Sequence, residues 1–199
     1  MKNKSYVLIV ICYGLLYGTV TAIGAIISSL TKPYNYSGKD NSLFGGVFIC
    51  FGITGSLVIG ILLDKYHFYK KSVVIIAIMS FTLISALFFT LPAGNTPLFG
   101  VNIAAYGLFA VPMTPVSFAF SVELTYPTPE AVSNGMMIMA SKIYGAVFSV
   151  IGGIMASKVG PLYTIGLFSI NNVFAMVVSF FIKEELRRLR PQASPVCDE

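Results

Sequence analysis

Apolar residues along this chain neither alternate with polar ones nor keep to a single helical stripe. They fill six long stretches, at residues 5–30, 44–63, 72–91, 98–122, 131–156 and 162–182, separated by short charged or proline- and glycine-bearing segments. Each stretch is roughly 20 residues or more, the length a helix needs to cross about 30 Å of hydrocarbon, so each predicts a transmembrane helix. The first outruns the apolar region of a secretory signal, and Tyr13, Tyr17 and its repeated glycines suit a packed span. Pro112 and Pro115 fall inside the fourth stretch and predict a kink there. Residues 183–199 begin charged and become proline-bearing; they read as a cytoplasmic tail, a short helical extension that ends before Pro191 and frays, and not as a further domain.

Composition points the same way. Hydrophobic residues make up 56% of the chain, charged residues 11%, and the mean hydropathy is +0.82, whereas soluble domains are about 25% charged. The fold class is therefore an all-α membrane protein with six transmembrane helices. Nine connecting Lys and Arg residues lie on the face that holds both termini: Lys2, Lys4, Lys65, Lys70, Lys71, Lys183, Arg187, Arg188 and Arg190. Only three, Lys32, Lys39 and Lys158, lie on the other. Positive residues near span ends are retained in the cytoplasm, so both termini are predicted cytoplasmic, and the net charge of +5 needs no nucleic acid to explain it. Asn35, Tyr36 and Ser37 form a glycosylation acceptor pattern in the predicted outer loop. Cys12, Cys50 and Cys197 show no paired spacing and His67 is the single histidine. No metal centre, disulfide framework, cofactor or enzyme activity is expected from such a set.

Against this background Lys142, in the run MMIMASKIYGAVFSVIGG at residues 136–153, is the one formal charge inside a span. Near the hydrocarbon midplane a lysine costs roughly 2.5 to 3.5 kcal/mol on insertion scales, so a compensating partner is required. At helical spacing Lys142 shares a face with Gly135, Gly145, Ala146 and Ser149, small residues that permit close packing and turn the lysine toward protein or water. The carboxylates, Asp40, Asp64, Glu123, Glu130, Glu184, Glu185, Asp198 and Glu199, all lie in connections, at span ends or in the tail. Three compensations are open: neutralisation by desolvation, an acid on a partner half, or an anionic group on a solute.

The second span ends in GILLDKYHFYKK at residues 60–71, where Gly60, Asp64, Lys70 and Lys71 follow one another at a membrane boundary. This resembles the loop signature of the major facilitator superfamily, in which the glycine allows close helix approach and the charges hold one face of a transporter shut. The fourth span runs into PVSFAFSVELTYPTPEAVSNG at residues 115–135, and its core from Glu123 to Pro127, with Glu130 and Gly135, resembles the family of the feline leukaemia virus subgroup C receptors. The likeness extends from SYVLIVICYGLLYGTVTAIGAIIS near the start to SKIYGAVFS and EELRRL, covering nearly all of the chain. It implies half of a major facilitator fold, the last six of twelve spans, with choline, ethanolamine or haem as the associated solutes and the plasma membrane as the place. Spans one, two, four and five then stand for helices seven, eight, ten and eleven, several of which face the central cavity.

On that resemblance Lys142, Thr21, Tyr17, Asn102 and Tyr106, together with Tyr13, are expected at the solute site. Asp64, Lys70, Lys71 and Glu123 are expected in a cytoplasmic charge cluster that gates it. Lys142 stands where the choline-carrying relatives have a glutamine that contacts substrate, and Val20 and Thr21 stand where they carry aromatic residues. Aromatic faces hold quaternary ammonium groups by cation–π attraction and a nearby lysine repels them. A carboxylate- or phosphate-bearing solute is thereby favoured, a class to which haem propionates belong. The expected mechanism is alternating access, with two six-helix halves rocking about a midplane site in the lipid bilayer. The second half would come from a separate chain, from sequence upstream of Met1, or from a parallel homodimer, in which two Lys142 side chains would approach and repel. The alternative is a truncated, non-transporting chain that acts as an interaction partner of a full-length transporter.

Overall fold

A computed structural model describes residues 4–66 and 68–183; His67, Cys197 and the tail from residue 184 lie outside the described residues. The helices in chain order are α1 (Lys4–Thr31), α2 (Gly38–Tyr66), α3 (Tyr69–Thr90), α4 (Thr96–Ala110), α5 (Met113–Thr125), α6 (Glu130–Lys158) and α7 (Pro161–Phe181), with a 3₁₀ turn over Lys32–Tyr34 after α1. Counting α4 and α5 as one broken span, six helices among the described residues are long and apolar enough to cross a membrane. That is the predicted number.

Where the bounds differ, polar turns extend a helix past its apolar core. The predicted second span begins at residue 44, but α2 starts at Gly38. Ser37 and Asp40 form a reciprocal cap there: the Ser37 amide donates to Asp40 Oδ2 at 2.8 Å and the Asp40 amide donates to Ser37 Oγ at 3.2 Å. A capping box of this kind satisfies orphan amides that hydropathy cannot see.

The predicted kink falls at one of the two prolines. The helix stops at Ala110 and resumes at Met113, so the break is at Val111 and Pro112. Pro112 has no amide to donate to the carbonyl of Leu108 four residues back, and its ring clashes with that turn. Pro115 instead sits in the first turn of α5, where a missing amide costs little.

Inside a bilayer, lipid tails are as apolar as leucine, so helices associate through close packing and hydrogen bonds. Glycines supply that closeness at two seams. Between α2 and α4, a Cβ on Gly55 would overlap the Leu108 carbonyl oxygen, and one on Gly107 would overlap the carbonyl of Phe48. Between α1 and α6, a Cβ on Gly18 would come within 2.9 Å of the Tyr144 ring and 3.2 Å of the Gly145 amide. Gly60 of the loop signature meets nothing within 4 Å in this bundle; here the close approach belongs to Gly55.

Around these seams the core divides along the membrane normal. One cluster joins Ile9, Cys12, Tyr13 and Leu16 of α1 to Val73 and Ile76 of α3, Phe120 of α5 and Ala175 of α7. The other joins Val20, Ile23 and Ile26 of α1 to Phe44 of α2, Ile84 of α3, Ile103 of α4 and Phe168 of α7. The two clusters meet on α1, which is the most buried span, while α2 and α6 leave most of their surface uncovered.

Gly55→Ala should therefore lower stability by about 1 to 3 kcal/mol, the usual penalty of overpacking. Gly60→Ala should change it by no more than about 0.5 kcal/mol. Unfolding in mixed micelles titrated with dodecyl sulfate measures both, and equal effects would contradict the packing described.

Candidate solute site

Tyr13 and Tyr17 are one helical turn apart on α1 and stack, with ring centroids 5.3 Å apart and planes 11° from parallel. Tyr13 is the inner member, 1% exposed. Its ring lies 5.8 Å from Phe118 of α5, and its hydroxyl is 3.5 Å from Thr114 Oγ1. Thr114 and Phe118 are themselves one turn apart just beyond the Pro112 break, so the break aims this face of α5 at the tyrosines. Ser141 of α6 is fully buried and donates its hydroxyl to the Ile138 carbonyl of its own helix at 2.8 Å.

Lys142 follows Ser141 on α6 and is exposed. Its ammonium stands 5.7 Å from the centroid of the Tyr17 ring, within the roughly 6 Å reach of a cation–π contact. The lysine lies 12 residues from Glu130, the first residue of α6, which at about 1.5 Å per residue puts it near the middle of the span. An aromatic face, which is not among the three compensations left open by the sequence, thus stands beside the lysine.

The α1–α6 seam fixes this geometry. Gly145 is buried against Gly18 and Thr21, and a Cβ there would overlap the Thr21 hydroxyl. Thr21 Oγ1 donates to the Gly18 carbonyl at 2.9 Å, so its hydroxyl is spent on its own helix and its role is to receive α6. Of the small-residue stripe drawn beside Lys142, Gly145 packs on α1, whereas Gly135 and Ala146 are exposed.

A hydrogen-bonded knot locks the same seam to α7. Asn171 Nδ2 donates to Thr19 Oγ1 at 2.7 Å and to the Leu15 carbonyl at 3.1 Å, while the Tyr144 hydroxyl donates to Asn171 Oδ1 at 2.7 Å. Sequence reasoning missed this knot, although paired asparagines at 171 and 172 in an otherwise apolar span are a visible signal.

Asn102 and Tyr106 are placed elsewhere. Asn102, buried in α4, donates from Nδ2 to Thr90 Oγ1 of α3 at 3.0 Å. Tyr106 is 1% exposed, its ring 5.9 Å from Phe48 of α2. The structure therefore joins Lys142, Tyr17 and Tyr13, sets Thr21 beside them as a packing residue, and leaves Asn102 and Tyr106 in the seams of α4.

At the opposite end of α2 from its Ser37 cap, Leu63, Tyr69, Phe120 and Leu124 share one cluster, with the Tyr69 and Phe120 rings 5.9 Å apart. Each expected gating charge lies within two residues of one of these along the chain. Asp64 and Lys71 are exposed, Lys70 is half-buried, and Glu123 is 5% exposed on the last turns of α5. Lys71 holds its ammonium 4.7 Å over the Phe68 ring and Lys65 holds its own 5.4 Å over Tyr66.

Six apolar spans, one of which carries a lysine beside an aromatic pair near mid-depth, describe a multi-pass integral membrane protein. The chain belongs to the major facilitator superfamily, whose family model matches residues 9–196. Among curated relatives it is 30% identical to the choline/ethanolamine transporter flvcr2a of Danio rerio, over 94% of this chain and 40% of the relative. It is 28% identical to the choline/ethanolamine transporters FLVCR2 of Homo sapiens and FLVCR1 of Felis catus, over 94% of this chain and 35% and 34% of those proteins. The chain thus spans between a third and two fifths of the length of these relatives.

Asn171→Leu should destabilise the bundle by about 0.6 to 1.7 kcal/mol, the range of interhelical hydrogen bonds in membranes. The readout is again titrated unfolding, and an unchanged midpoint would contradict a structural role for the knot.

Proposed function

We propose that this chain is one half of a secondary transporter that moves a small organic solute by alternating access, with its solute site on the Lys142, Tyr17 and Tyr13 face. Three features support a site there. The face lies near mid-depth, where major facilitator halves meet around their solute. Lys142 is exposed, and a charge within a span is retained for function because it is costly. The α1–α6 seam and the Asn171 knot hold the lysine's helix in place, as a preorganised site requires.

The solute class follows from the charge, which is the observation that carries the proposal. The relatives named above are choline and ethanolamine transporters, and those cations are the family expectation. A fixed ammonium beside the aromatic pair opposes a second cation and attracts a carboxylate or phosphate. The reading is therefore of an organic anion whose acid group meets Lys142.

The other half would dock on the uncovered faces of α2 and α6, supplied by a second six-helix bundle related about an axis along the membrane normal. In this arrangement both termini are cytoplasmic in the plasma membrane, Asp64, Lys70, Lys71 and Glu123 line the cytoplasmic rim, and their charge contacts open and close it. Asn35, exposed at the end of the 3₁₀ turn, is then extracellular and accessible for glycosylation.

The test is solute retention and oligomeric state of the purified chain in nanodiscs, by native mass spectrometry against a panel of small carboxylates and phosphate esters. A defined assembly that retains an anion, with retention at least about tenfold weaker in Lys142→Gln, is the expected result. A monomer that binds nothing and is indifferent to the substitution would end the transport reading and favour a non-transporting partner of a longer relative.

A further inference from the structure

Tyr17 has two faces. One is covered by the stacked ring of Tyr13, at 5.3 Å and 11°. That leaves a single face for a cation, and the ammonium of Lys142 stands over the ring at 5.7 Å. The host is otherwise what an organic ammonium needs: Tyr17 is half-buried, a second tyrosine backs it, and Phe118 backs that in turn. Rings of this kind attract ammonium groups through the negative potential over their faces.

We infer that Lys142 is a tethered ammonium that occupies an aromatic cation site on α1, so that the site is closed to free ammonium solutes and opens when the lysine is removed. The inference deepens the anion reading of this face and rests on its being the solute site. It adds that exclusion of quaternary ammonium comes from occupancy of Tyr17 as well as from charge repulsion. A chain with a neutral side chain at position 142 would hold the stacked tyrosine pair with its free face empty.

The geometry favours this over a lysine passing by chance. Ser141, the preceding residue, is fully buried with its hydroxyl bonded to the Ile138 carbonyl of its own helix, and its burial fixes the rotation of α6. Gly145, one turn on, is in contact with Thr21 and Gly18, which fixes its distance from α1. Between those anchors Lys142 leaves α6 on the side of Tyr17.

Two measurements on the full chain in nanodiscs test the inference. The first is equilibrium binding of radiolabelled tetramethylammonium to wild type, Lys142→Met, Lys142→Gln and Lys142→Met/Tyr17→Leu, with neopentane-like 3,3-dimethylbutanol as the neutral competitor. Lys142→Met and Lys142→Gln should bind at least about tenfold more tightly than wild type, the added Tyr17→Leu should abolish the gain, and the neutral alcohol should not compete. The second is independent of any bound solute: reductive dimethylation with carbon-13 labels Nζ of Lys142, whose methyl signal should lie upfield through the Tyr17 ring current and return in Tyr17→Leu. An unshifted methyl signal in the wild type, or a gain in binding that survives Tyr17→Leu, would overturn the inference. If both expected results appear while the wild type retains no anion, the aromatic cation site stands and the anion reading falls. If an anion is retained and Lys142→Met gains nothing, the reverse holds.

Discussion

A cation near the middle of a bilayer has to be met by something, and in this protein it is met by the face of an aromatic ring. Lys142 over Tyr17 is the interaction around which the candidate site is built. A cation–π contact is worth only about 0.5 to 2 kcal/mol, less than the insertion cost of roughly 2.5 to 3.5 kcal/mol. The contact therefore holds the lysine without satisfying it fully. On the proposed function, that remainder falls to the acid group of a solute.

The surrounding bundle is arranged to keep that contact in register. Gly18 and Gly145 let α1 and α6 approach until backbone meets backbone, and Asn171 ties both to α7 through Thr19 and Tyr144. On the other side of α1, the break at Pro112 brings Thr114 and Phe118 against Tyr13. The same break frees the turn at Leu108, whose carbonyl is accepted only because residue 55 is glycine. Local sequence, helix geometry and site are thus linked through a few small residues and one proline.

The large features were legible in the sequence because hydropathy and proline chemistry act locally. Six apolar stretches gave six spans, Pro112 marked the break, and Lys142 stood out as the lone charge. The partner of Lys142 was not legible, since charge pairing points to carboxylates and other anions and an aromatic ring carries no formal charge. Nor was the inward direction of Asn102 and Tyr106: when a helix is apolar on every side, periodicity does not tell which neighbour a polar side chain will meet. Gly60 and Gly55 illustrate the same limit, because a motif names a glycine without naming the helix that approaches it. The Asn171 knot depends on three helices far apart in sequence, which no local pattern specifies.

The central claim is that Lys142 faces a water-accessible solute path and not lipid. The most direct test is thiol accessibility in a cysteine-free background, comparing Lys142→Cys with Ile143→Cys, its neighbour on α6, whose side chain is 60% exposed. Modification by a membrane-impermeant, charged methanethiosulfonate should be at least about ten times faster at position 142, because such reagents attack the thiolate, which forms only where water reaches it. Modification at position 142 as slow as at a lipid-buried thiol, with no advantage over position 143, would place both in lipid and contradict the account.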